Sequence, residues 1–71
     1  MIEKIEEIIG APLKKNQLLD FTIMWTGGGE REAELTIEGL QGLIEEHGNP
    51  SPHSGLSQIA AIKLNGQQVW P

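Results

Sequence analysis

Seven consecutive residues, Trp25-Thr26-Gly27-Gly28-Gly29-Glu30-Arg31, combine side chains and backbone that could do chemistry. Glycine amides can approach a phosphate closely, a guanidinium can pair with it, and an indole can stack on a base. The motif stops short of a Walker loop: no Gly-Lys-Ser/Thr follows, and the next segment reads as a strand, so no helix N-terminus faces the glycines. Nor does it form a dinucleotide fingerprint. The plainer reading is a hairpin tip whose glycines reverse the chain while Trp25 packs inward.

A second cluster surrounds His53, with Ser51, Ser54 and Ser57 close by. Serine catalysis needs a nucleophile beside a base, a group orienting that base, and an oxyanion site. The sequence has no nucleophile elbow, and a polar loop of this size excludes little water, so a small hydrolase ranks third among the readings. Metal binding would draw on Glu45, Glu46, His47 and His53, but no pair shows a ligand spacing such as His-x-x-x-His. The adjacent carboxylates Glu6-Glu7 and Glu45-Glu46 read as solubilising charges on exposed helix sides. No metal and no cofactor is implied, and the chain is expected not to be an enzyme.

These residues need elements to position them. Thr36 to Gly48 carries apolar residues at Ile37, Leu40, Leu43 and Ile44, the spacing of one helical face. Thr36 is the predicted N-cap, Glu38 lies in the first turn, His47 in the last, and Gly48 is expected as a left-handed C′ residue before Pro50. Residues 2 to 9 repeat the pattern with a stripe of Ile2, Ile5, Ile8 and Ile9, ended by Gly10 and Pro12. From Leu18 the period changes to two. Leu19, Phe21, Ile23 and Trp25 share one side of a strand, and Asp20, Thr22 and Met24 the other. Arg31 to Ile37 reads as the returning strand.

A polar loop follows from Asn49 to Gln58. Ile59 to Leu64 and Gln67 to Trp70 then form a second hairpin around Asn65-Gly66, the strongest short hairpin signal in the chain. A two-residue turn would set Leu64 against Gln67, Ile62 against Val69 and Ala61 against Trp70. The fold class is therefore α+β: a short helix, a hairpin, a central amphipathic helix and a second hairpin, forming a mostly antiparallel sheet within one domain, residues 1–71. The central helix is expected to cover Phe21, Ile23, Leu35, Ile37, Ile62 and Val69. The opposite face would carry Met24, Ile59, Ala61 and Trp70, together with Leu18, interrupted by Lys63, Thr22 and glutamates. Either the first helix or a partner must cover it.

Composition narrows the function. A chain of 71 residues buries only roughly 60% of its unfolded surface, which leaves a marginal core. It has no cysteine, so disulfides, thiolate zinc sites and cysteine nucleophiles drop out together. The formal charge of −5, ten acids against five bases, disfavours direct binding to a nucleic-acid backbone. No apolar run is long enough to span a membrane, and the N-terminus carries acids where a signal peptide carries bases; a cytoplasmic location is expected. The leading expectation is a non-catalytic binding protein, homo-oligomeric, that occupies a protein partner's surface through Met24, Ile59, Ala61 and Trp70. Its size, charge and element order suit accessory or inhibitor proteins of phages and other mobile elements, with no motif behind that likeness. The alternative is sequestration of a nucleotide-like or other small anion by Trp25, Thr26, Gly27, Gly28, Gly29 and Arg31, with His53.

Overall fold

The computed structural model describes residues 1–48 and 58–71. Two helices and four strands follow in the order α1 (Ile2–Ile9), β1 (Leu19–Trp25), β2 (Glu30–Leu35), α2 (Ile37–His47), β3 (Ile59–Leu64) and β4 (Gln67–Trp70). The fold is α+β, with one antiparallel sheet in the order β2-β1-β3-β4. The two hairpins are thus joined along a β1–β3 seam.

Local chemistry sets the element ends. Thr36 Oγ1 accepts from the Gly39 amide at 3.1 Å, so α2 starts at Ile37. Ile37 is consequently helical, and the returning strand stops at Leu35, two residues earlier than the alternation predicts. Gly10 closes α1 in the left-handed region at φ 74°. Glu6 turns back to accept from the Leu13 amide at 2.8 Å and pins the connection after α1. Its carboxylate is half-buried, not the freely solvated charge that the Glu6-Glu7 pair implies.

Both helices lie on the same side of the sheet. Ile5 of α1 and Leu40 of α2 are each 0% exposed, in one cluster with Phe21, Ile23, Ile59, Ile62, Leu64 and Val69. The opposite side therefore has no cover from α1, which removes one of the two expected solutions.

Two bulges correct the face assignments. Trp25 pairs with Ile59 and Met24 with Ala61, so Ala60 is the extra residue. A bulge breaks strict alternation. Ile59 consequently turns to the helix side, where it is 4% exposed, while Ala60 is exposed. In the second hairpin, Leu64 faces Gln67 as expected, but Ile62 faces Trp70 rather than Val69. Val69 is the additional residue, and Trp70 swings toward the helices to pack on the core. Asn65 and Gly66 both have positive φ, 51° and 78°, the signature of a type I′ turn.

Candidate functional site

The glycine turn is a three-residue loop, Thr26-Gly27-Gly28, closed by the Trp25–Gly29 pair. Gly28 donates to the Trp25 carbonyl at 3.0 Å, and Trp25 donates to the Gly29 carbonyl at 2.9 Å. Gly28 takes φ 92°, where a side chain would be strained. The tip is tied down from the other hairpin. Thr26 donates its amide to the Gln58 carbonyl at 2.8 Å, and Thr26 Oγ1 accepts from the Gln58 amide at 3.1 Å. The turn's polar groups thus satisfy each other in part. Of the three glycine amides, that of Gly28 is bonded, and those of Gly27 and Gly29 have no partner among the described residues.

Trp25 and Arg31 come together on the helix side of the sheet, where Trp25 Cδ1 also lies beside Gly29. Arg31 pairs across the ladder with Ile23, so its side chain lies on the helix side of β2 with Ala33 and Leu35. There Ile23, Trp25, Ala33, Leu35 and Leu43 line a groove with the exposed Arg31 and Glu32. Among the described residues Arg31 makes no ion pair; the one pair present joins His47 Nε2 and Glu46 Oε2 at 3.6 Å. His53 and Ser51, Ser54 and Ser57 lie outside the described residues.

His47 has a contact that its place in the sequence did not announce. Its ring meets Trp25 edge to face, with centroids 5.5 Å apart and planes at 78°. One residue on, Gly48 adopts φ −85° and ψ −19°, not the left-handed cap expected of it, and its amide donates to the Ile44 carbonyl at 2.7 Å. Glycine is needed there for space. A Cβ would lie 2.5 Å from the Ile44 carbonyl oxygen and 3.1 Å from Trp70 Cζ2. The two tryptophans therefore grip the C-terminal end of α2 from two different strands.

The four residues expected to form one apolar interface divide between the two sides of the sheet. Ile59 and Trp70 belong to the helix side, Ile59 within the core and Trp70 beside Ile44 and Met1. Met24 and Ala61 remain on the uncovered side as a half-buried pair opposite one another. The rest of that face is polar. Asp20, Glu30, Glu32 and Glu34 are exposed on β1 and β2, and Thr22 and Lys63 stand side by side in the middle. Period-two alternation along β2 placed the glutamates there; the loss of Ile59 and Trp70 from the face follows from bulges that alternation does not see.

Among the described residues, no three His, Asp or Glu side chains stand close enough together to hold a metal ion, and no helix is long and apolar enough to cross a membrane. Comparison with family models, with curated proteins and with solved structures finds no match for this chain.

Proposed function

We propose that this chain is a non-catalytic binding protein whose uncovered sheet side engages a protein partner with a basic surface. One observation carries the reading: both helices pack on one side of the sheet, and among the described residues nothing covers the other side. That open side sets Met24 and Ala61 at one end, beside Glu30; Thr22 and Lys63 in the middle; and the exposed carboxylates of Asp20, Glu32 and Glu34 along the rest. An apolar patch bordered by charged residues is how protein-binding surfaces are commonly built. Two copies meeting through this face would bring like charges together, which costs energy and favours a different partner over self-association. With Ile59 and Trp70 turned to the helix side, the apolar surface that motivated a homo-oligomer is also much reduced.

Native mass spectrometry of gently purified protein tests the proposal, paired with the Met24→Arg variant. The expected result is a stoichiometric heteromeric complex for the parent chain and its loss in the variant, with the circular dichroism of both unchanged. A complex that survives Met24→Arg intact, or a mass that stays at one chain with no partner under any gentle preparation, overturns it.

A further inference from the structure

The partner's mode of attachment can be read more closely, an inference that rests on the protein-binding reading above. Among the described residues, strand β2 is an edge of the sheet, paired only with β1. The bond from the Trp25 amide to the Gly29 carbonyl makes that pair a hydrogen-bonded one. Antiparallel ladders alternate, so Ile23–Arg31 and Phe21–Ala33 turn their backbone groups inward. Glu30, Glu32 and Glu34 then direct N–H and C=O outward along the free edge. These are the groups an added strand would pair with.

Side chains on the two sides of that edge differ in a way that specifies the added strand. On the uncovered side stand the exposed Glu30, Glu32 and Glu34. On the helix side, the groove walled by Trp25, Ala33, Leu35 and Leu43, with the exposed Arg31 at its rim, opens beside the same strand. A strand laid along β2 sends successive side chains to opposite sides, about 4.8 Å from their neighbours on β2. One set would meet the row of carboxylates and the other the apolar groove. A second copy of β2 does not fit this description, because it would bring three more glutamates against the first three.

We infer that β2 receives an extended segment of the partner in which basic and apolar residues alternate, added to the sheet as a fifth strand. The bases pair with Glu30, Glu32 and Glu34, the apolar residues enter the groove beside Leu43, and the backbone bonds to the outward groups of the glutamates.

The probe is a fluorescein-labelled Lys-Val-Lys-Val-Lys-Val-Lys peptide, followed by anisotropy and by amide hydrogen exchange of the full chain. Binding is expected, with slowed exchange at the Glu30, Glu32 and Glu34 amides. A peptide of the same composition with its lysines and valines in separate blocks, and an acidic Glu-Val alternation, are expected not to bind. Replacing all three glutamates by glutamine should weaken binding on the order of tenfold. Glu32→Pro, which removes the central outward donor without breaking a ladder bond, should abolish it.

If Glu32→Pro fails to fold, the exchange measurement on the parent chain decides alone. Binding without protection of those three amides would show attraction by charge only and overturn the inference. Equal binding of the block peptide would overturn it, as would assembly into homodimers through β2 seen by light scattering. Should native mass spectrometry find a Met24-dependent partner while the alternating peptide does not bind, strand addition fails and the protein-binding reading stands. If neither is seen, both fail.

Discussion

At the scale of single residues, three glycines with different reasons for being glycine make the sharpest test of the structure. Gly42 is an exposed position inside α2, and a Cβ there meets nothing within 4 Å. Gly42→Ala should therefore raise stability by about 0.5–1 kcal/mol by restoring helix propensity. Gly48 is the opposite case. Its new methyl would strike the Ile44 carbonyl oxygen, a backbone atom that cannot swing aside, and the Trp70 ring. Gly48→Ala should lower stability by about 1–3 kcal/mol. Thermal melts of the two variants beside the parent check both signs, and a Gly48→Ala variant as stable as the parent would show that the helix end is not held as described. Gly28, with φ 92°, is limited by backbone conformation and not by neighbours. Arg31 illustrates a residue with no role in stability: exposed and unpaired among the described residues, it should tolerate Arg31→Ala without a change in melting temperature.

At the scale of elements, Trp70 belongs to a strand whose extra residue, Val69, rotates it onto the core. Trp70→Ala should accordingly cost up to about 3 kcal/mol, less than a fully buried tryptophan because its ring is half-buried. Denaturant titration followed by circular dichroism measures the loss. Unchanged stability would place the ring outside the core.

The elements themselves were largely legible. Hydrophobic period, Thr36, Gly10 and Asn65-Gly66 mark both helices and the second hairpin where the structure has them. Faces were legible only as far as alternation held. One inserted residue reverses every assignment beyond it, and Ala60 and Val69 carry no composition that marks them as bulges. Gly48 misled for a related reason. A glycine after a helix usually signals a left-handed turn, whereas the Ile44 carbonyl and the distant Trp70 ring leave no room for a Cβ at this one. The site was legible in part. Trp25 and Arg31 do come together, and strand parity turns Arg31 toward an apolar groove.

Considered as a whole molecule, the chain has one layer of helices on one layer of sheet, and its charge is unevenly shared. The open side gathers Asp20, Glu30, Glu32 and Glu34 against Lys63. Partner binding there should weaken as salt rises, since exposed charges are screened within about 8 Å at physiological ionic strength. Isothermal titration at two salt concentrations with the purified partner reads this directly, and salt-independent affinity would move the contact to another surface. Two copies should repel through the same side, so light scattering at micromolar concentration should report a single chain.

The grip of two tryptophans on the end of α2 also has a consequence for time. Trp25 ends β1 and Trp70 ends β4, and these strands come into one sheet only when the β1–β3 seam has closed. Each hairpin can form over a few residues, whereas the seam joins Ile23 to Ile62 across the whole of α2 and must await closure of a long loop. The contact of Trp70 with Gly48 therefore belongs to the last stage of folding, whereas that of Trp25 with His47 lies within β1 to α2 and does not await the seam. Interactions absent from the transition state govern how fast a protein comes apart, not how fast it assembles. Gly48→Ala should speed unfolding in stopped-flow denaturant jumps and leave the refolding rate close to that of the parent. The clamp at the helix end then acts as a latch that sets the lifetime of the folded chain.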